Sequence, residues 1–409
     1  MKILVIGVGM YVTGRGTSAF GTIFPSIIEF QRINKIKKLE VIFTGHNFSN
    51  IQKSKKKVLK ALKISKIDFS KINFKVSFYP NKKNKKQTYK DILKNEKNLS
   101  CAIVAVPDHL HYQVINECLD HDLHTLAVKP FTIKTNDAYK LIEKKNKKKI
   151  FGLVEFHKRF DKHNLLLKNA YDSKRLGVPL SFNVEYSQKK IVPEELFRTW
   201  AYKTNIFQYL GVHYVDLVYF VTRATPVRIL AIGQKNWLRK KGINTYDSIQ
   251  CIIEWKTKSN IKFTQTLSVN WIDPNNSTAM STQKIKFLGT KGNFESDQKA
   301  RGIKIVSDDA HVEEPNPDFN MAFKVGNSTE WRGYGIQSIT QFLLGVRKIT
   351  NKNFANPNLY NTSKEDDFFK YFNFSSTSFE EAAISTAVLE SANKSLKNNS
   401  NWQKIKLKK

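Results

Sequence analysis

The stretch Lys2-Ile3-Leu4-Val5-Ile6-Gly7-Val8-Gly9-Met10-Tyr11-Val12-Thr13-Gly14-Arg15-Gly16 decides the fold. Lys2 to Val8 is a short apolar run meeting a glycine, which reads as a short buried strand. Gly7 turns the chain tightly, and Gly9 lets a diphosphate approach the backbone. A helix expected from Phe20 to Ile33 then presents its N-terminus to the anion. The third glycine of the usual pattern would stand at position 12, where there is a valine. Gly14, Gly16 and Gly21 carry a longer loop instead.

Outward from this turn the chain alternates. Strands are predicted at Leu39 to Thr44, Ala102 to Val106, Thr125 to Val128 and Ile150 to Phe156. Helices are predicted at Ile51 to Leu62, Leu110 to Leu119 and Asn136 to Lys147. The Lys- and Asn-rich residues 64–87 give no clear pattern. Strands separated by single helices require right-handed crossovers and a parallel sheet covered on both faces. Residues 1–156 therefore read as a doubly wound, dinucleotide-binding Rossmann domain.

After Phe156 the texture changes. A helix is expected over Lys162 to Tyr171 and another around His213 to Val221. Alternating runs occupy Leu180 to Tyr186, Val227 to Gly233, Ser248 to Trp255, Lys262 to Asn270 and Lys284 to Leu288. An apolar helix from Ser378 through Leu396 follows. Residues 157–409 read as an α+β substrate-binding and oligomerisation domain with a large open, mainly antiparallel sheet.

Composition narrows the function. The 409 residues are 41% hydrophobic and 12% aromatic, as in a folded globular protein. The formal charge is +33, but 57 of the 68 basic residues are Lys, scattered in short runs. A protein that reads bases or clamps phosphates uses more Arg for its bidentate fork. Compositional bias explains the charge better than a nucleic-acid partner. No run of about 18 apolar residues marks a membrane span, and no secretory leader pattern opens the chain. Three Cys make no disulfide framework. The expected compartment is the cytoplasm. Cys118, His121 and His124 do not have the spacing of a metal site, so no metal is expected.

No acidic residue occurs from Val41 to Ile67. An Asp or Glu after the second strand ordinarily holds the ribose hydroxyls of NAD. Thr44, His46 and nearby basic groups would tolerate a 2′-phosphate, so either NAD or NADP fits, with a lean to NADP.

Ala105-Val106-Pro107-Asp108-His109-Leu110-His111, and then His124 to Pro130 ending in Val128-Lys129-Pro130, carry a wider resemblance. With Gly211-Val212-His213-Tyr214-Val215-Asp216, Phe287-Leu288-Gly289-Thr290-Lys291-Gly292 and the C-terminal helix, the chain resembles the Gfo/Idh/MocA family of sugar and inositol oxidoreductases. The resemblance spans nearly the whole chain. It implies a nicotinamide-dependent dehydrogenase or reductase acting on a sugar, sugar derivative, cyclitol or nucleotide sugar. It also implies a homo-oligomer, dimer or tetramer, built on the open sheet. The alternative is a non-catalytic dinucleotide or sugar sensor on the same fold.

The resemblance gives Lys129 the role of holding the reacting oxygen, in keeping with its place at the C-terminal end of a parallel strand. It implies His213 as general acid or base, with Tyr209, where the family often has Asp, sharing the proton transfer. The family's Glu before the Lys is Val128 here. Cofactor contacts are expected from Gly7, Gly9, Met10, Gly14, Gly16, Thr44, His46, Pro107, Asp108, His111, Lys129 and Glu155. Asp108 also suits a helix cap. Substrate contacts are expected from Lys129, Arg159, Trp200, Lys203, Tyr209 and His213, with Trp271 shaping the same pocket.

Overall fold

The structure, a computed structural model, describes residues 1–67, 72–308, 310–350 and 375–408. Two compact units divide the chain. The first comprises Met1–Phe131, Tyr139–Phe160 and Asp318–Glu380; the second comprises Thr132–Ala138, Asp161–Pro317 and Glu381–Lys409.

In the first unit β1 (Lys2–Ile6), β2 (Lys38–Thr44), β3 (Asn73–Tyr79), β4 (Cys101–Val104), β5 (His124–Val128) and β6 (Gly152–Glu155) form one sheet. The spatial order is β6-β5-β4-β1-β2-β3, every one of these pairs parallel, and Thr377–Ser378 adds an antiparallel edge beyond β6. The connecting helices are α1 (Met10–Thr13), α2 (Ile23–Asn34), α3 (Phe48–Ser65), α4 (Tyr89–Asn95), α5 (His111–Asp120) and α6 (Thr135–Lys147). All four residues of β4 are buried, as a strand covered on both faces requires. β1 pairs with β2 on one side and β4 on the other, so the order reverses there. Ligands of open parallel sheets bind outside the carboxyl ends at such a reversal.

Three features depart from the sequence reading. β3 lies inside the uncalled Lys- and Asn-rich stretch. It is an edge strand with half-exposed side chains, so it lacks the apolar run that marked the others. The helix Tyr334–Thr350 packs on α2 through Ile336, Ile339, Phe342, Leu343 and Val346, a helical spacing left unread. That helix draws residues 318–380 into the first unit, so the units are not cut cleanly after residue 156.

The second unit carries α7 (Lys162–Asp172), α8 (Val212–Thr222), β7 (Pro179–Lys189), β8 (Thr225–Gln234), β9 (Ser248–Lys256), β10 (Lys262–Asp273), β11 (Ser281–Gly289) and β12 (Asn293–Asp297). Their order is β12-β11-β7-β10-β9-β8, with Gln403–Lys404 at the β8 edge; only β7 and β10 run parallel. Alternation separates the faces: Ile249, Cys251, Ile253 and Trp255 of β9 are buried, while Ile252 between them is exposed. Gln265 of β10 donates from Nε2 to the Tyr214 carbonyl at 3.0 Å, tying the covered face to α8. No helix among the described residues is long and apolar enough to cross a membrane.

Candidate active site

The glycine turn leaves β1 at Gly7, whose φ of 106° is open to glycine but strained for other residues. Its N–H donates to the Thr44 carbonyl at 2.9 Å, and a Cβ there would lie 2.1 Å from the Ala105 oxygen. Gly7 thus lets the ends of β1, β2 and β4 meet. A Cβ at Gly9 would meet nothing within 4 Å, so the backbone is open for close approach by a ligand. Val12, at the place of the missing third glycine, is fully buried in the core.

The long helix does not begin at this turn. α1 lasts one turn, opening at the half-buried Met10, and Gly14 caps it at φ 73° with its N–H on the Met10 carbonyl. Residues 14–22 then fold on themselves before α2. Gly16 sits in this exposed loop rather than against the turn. The macrodipole of a long helix is therefore not aimed at Gly9. Thr44 is buried at the end of β2, and His46 is exposed just beyond it.

At the far side of the reversal, Lys129 follows β5 and is buried. Burial pulls its ammonium down to about 8, opposed by the charges of Asp108 and Glu155. Asp108 lies in the first position of a single 3₁₀ turn, Asp108–Leu110, after Pro107. It is not the N-cap: Pro107 and Leu110 hold those places, and neither caps through its side chain. His111 presents Nδ1 to the Pro130 carbonyl at 2.6 Å and Nε2 to the Val106 carbonyl at 2.9 Å. A carbonyl oxygen faces each ring nitrogen, so the imidazole lies wedged between the Lys129-Pro130 turn and the turn after β4 and donates to whichever carbonyl its N–H faces.

Glu155, the last residue of β6, is buried in a network that the sequence did not reveal. Its carboxylate accepts from Ser338 Oγ at 2.8 Å and lies 3.1 Å from His157 Nδ1, which in turn stands 3.5 Å from the Tyr11 hydroxyl. Burial alone would raise its pKa; His157, Ser338 and Tyr11 outweigh that and hold it below the usual carboxylate range. The same surroundings push the Tyr11 phenol well above 10, with burial first and Glu155 second. The His157 ring packs 5.0 Å from Phe319 and 5.7 Å from Tyr334. Tyr11 belongs to α1, so the glycine turn and the end of β6 are hydrogen-bonded together. Tyr11, His157 and Ser338 carried no sequence signal, because their meeting depends on packing between distant segments.

Arg159 is completely buried, with Nη1 donating to the Ser376 carbonyl at 3.3 Å. That bond ties the guanidinium to the backbone of the segment before Thr377.

In the second unit Tyr209 and His213 lie four residues apart on one helical run. A π-turn over Phe207–Gly211 leads directly into α8, a local irregularity common at functional sites. His213 and Asp216 are buried. Tyr209 packs 5.0 Å from Phe197 and 5.7 Å from Trp271, and Trp200 lies 4.4 Å from Phe197. Trp200, Tyr209 and Trp271 therefore form one aromatic cluster. Lys203 is exposed and stands over Tyr202 instead, so it does not join that cluster.

Cys118 is buried in α5, and His121 Nδ1 lies 3.0 Å from the Glu117 carbonyl. Among the described residues, no three His, Cys, Asp or Glu side chains gather as a metal site would require.

Residues 41–156 match the model of the oxidoreductase family with an NAD-binding Rossmann fold, and residues 165–295 match the GFO/IDH/MocA C-terminal domain. An uncharacterised oxidoreductase of Schizosaccharomyces pombe is 29% identical over 92 residues, 22% of this chain and 25% of its own. The inositol 2-dehydrogenase of Salmonella typhimurium is 28% identical over 135 residues, 32% of this chain and 38% of its own. The chain thus spans well under half the length of these curated relatives. Among solved structures, a probable dehydrogenase from Thermotoga maritima superposes with a TM-score of 0.62 at 14% identity, covering 99% of both chains. The scyllo-inositol dehydrogenase of Lactobacillus casei, solved with NAD(H) and scyllo-inositol, gives 0.61 at 13%, again over 99% of both. These two share the fold. With residues 41–156 and 165–295 matched in order by the two domain models, the chain belongs to the GFO/IDH/MocA family of oxidoreductases.

Proposed function

We propose that this chain is an NAD(P)-dependent dehydrogenase or reductase acting on the CH–OH group of a cyclitol, sugar, sugar derivative or nucleotide sugar. The observation that carries the reading is Lys129: a buried ammonium drawn down to about 8, at the carboxyl end of a parallel strand two places from β1 in the sheet. A dinucleotide supplies the hydride acceptor or donor when bound. The open backbone at Gly9 and the tight turn at Gly7 suit its diphosphate.

The chain's own groups do the rest. Lys129 donates a hydrogen bond to the reacting oxygen and stabilises alkoxide charge as the C–H bond weakens. His213 accepts the hydroxyl proton in oxidation and returns it in reduction, with Tyr209 sharing that transfer. Glu155 and Asp108 keep Lys129 charged against the cost of burial. His111 fixes the turn that carries it. Trp200 and Tyr209, packed with Phe197 and the buried Trp271, offer aromatic faces to the C–H surfaces of a polyol ring.

Self-association to a dimer or tetramer through the open face of the β7–β12 sheet belongs to the same proposal. That face presents Ile252 and Leu288 among polar side chains.

The test is absorbance at 340 nm with the full chain, either cofactor and a panel of cyclitols, sugars, sugar acids and nucleotide sugars. Turnover of at least one polyol is expected. Dinucleotide binding without turnover across the panel would favour a sensor and overturn the enzymatic reading.

A further inference from the structure

Residues 14–22, between α1 and α2, are tied down by hydrogen bonds. Thr17 N–H donates to the Gly14 carbonyl at 3.0 Å and Thr22 N–H to the Tyr11 carbonyl at 2.7 Å. From α3, the Lys57 ammonium donates to the carbonyls of Thr17, Ser18 and Ala19 at 2.6, 3.0 and 3.0 Å. Arg15 belongs to this pinned loop.

Its side chain runs back to the gap between the ends of β1 and β2. Nε donates to the Val8 carbonyl at 3.0 Å, between the two glycines of the turn. Nη1 donates to Asn50 Oδ1 at 2.6 Å, in the first turn of α3, which follows β2. Asn47 caps that helix by accepting from the Asn50 N–H at 2.9 Å, which fixes Asn50 in turn. Ser54 Oγ also donates to the Val8 carbonyl, at 2.9 Å. The guanidinium therefore bridges the glycine turn and the exit of β2.

Both acceptors are neutral. Burial lowers the Arg15 pKa, and no carboxylate acts in the other direction. A half-buried cation ordinarily finds a counter-charge. None is available in sequence here, since no acid occurs from Val41 to Ile67. Arg15 uses two of its five N–H donors in these bonds, leaving others to donate. In dinucleotide sites of this topology an acid after the second strand takes the ribose 2′-hydroxyl of NAD, and an Arg nearby accommodates the 2′-phosphate of NADP. A planar guanidinium suits the phosphate oxygens.

We infer that Arg15 is the specificity-determining residue for the cofactor: it reads the 2′-phosphate, and the chain prefers NADP(H) to NAD(H). This rests on the dinucleotide-binding reading above. Val8 and Asn50 hold the guanidinium in place before the cofactor arrives, so the contact costs little ordering.

Equilibrium binding tests this without turnover. NADPH and NADH are titrated into the full chain, with energy transfer from tryptophan to the reduced nicotinamide as signal and 2′,5′-ADP against 5′-AMP as competitors. The wild type is expected to bind NADPH at least about tenfold more tightly than NADH, an advantage that shrinks with added salt. Arg15→Ala is expected to lose that preference, with NADH affinity changed by no more than about twofold. Arg15→Lys, which keeps the charge but not the fork, should fall between. Equal wild-type affinities, or a loss of NADPH and NADH alike in Arg15→Ala, would overturn the inference while leaving the dinucleotide site standing. Binding of neither nucleotide by the wild type would overturn the dinucleotide reading itself.

Discussion

Glu155 is the register partner of Val128 in the parallel pairing of β5 with β6, one position before Lys129. The resemblance puts a Glu at 128 and gives it the task of orienting the lysine. Here the carboxylate comes from the neighbouring strand. Its charge reaches Lys129, as does that of Asp108, and both oppose the desolvation that pulls the ammonium down to about 8. The valine at 128 therefore does not leave the lysine without a negative neighbour.

A pH dependence follows from that balance. The donating form of Lys129 is the ammonium, which is populated below about 8 and lost above it. Turnover should fall on the alkaline side with a limb near that value. Glu155→Gln removes one of the two charges that favour the ammonium, so the limb should move to lower pH. The kcat profile from pH 6 to 10 checks this. An unmoved limb would mean that Glu155 acts only through packing.

The Glu155 network also predicts stability. Ser338→Ala removes a hydrogen bond to a buried carboxylate and should cost about 1–3 kcal/mol in denaturant unfolding at neutral pH. Glu155 has a folded pKa below its unfolded one. In the window between the two, the unfolded chain binds more protons, so this carboxylate stabilises the fold above its unfolded pKa and stops doing so as pH falls through the folded value. The Ser338→Ala deficit should therefore narrow on acidification below about 4.

The two glycines of the turn should separate folding from binding. Gly7→Ala places a Cβ 2.1 Å from the Ala105 oxygen at a φ of 106°. It should destabilise the chain by about 1–3 kcal/mol or more. Gly9→Ala meets no protein atom within 4 Å. It should melt near the wild type yet bind dinucleotide at least about tenfold more weakly, because the methyl occupies the diphosphate's approach. Thermal melts paired with NADPH titrations distinguish the two.

What the sequence made legible was whatever local pattern controls. The apolar runs read as strands at Lys2 to Val8, Ala102 to Val106 and Thr125 to Val128 are strands at Lys2–Ile6, Cys101–Val104 and His124–Val128, the first two ending two residues early. The alternating β9 and β10 likewise show their two faces directly. β3 escaped because a half-exposed edge strand needs no apolar run. The helix Tyr334–Thr350 had its pattern in plain view at Ile336, Ile339, Leu343 and Val346, and only its partner α2 gives that pattern meaning. The site divides the same way. Lys129 and the glycines are marked by position relative to strand ends. Tyr11, Arg15, His157 and Ser338 are marked only by what they touch, and Arg159 only by its burial.

The central claim is that the Lys129 ammonium holds the reacting oxygen in a nicotinamide-dependent oxidation or reduction. Its most direct measurement compares wild type with Lys129→Met, by 340 nm turnover of a polyol the wild type accepts and by NADPH binding on the same samples. The account predicts a fall in kcat of at least about 100-fold with dinucleotide affinity nearly unchanged. Turnover by Lys129→Met at the wild-type rate would contradict it.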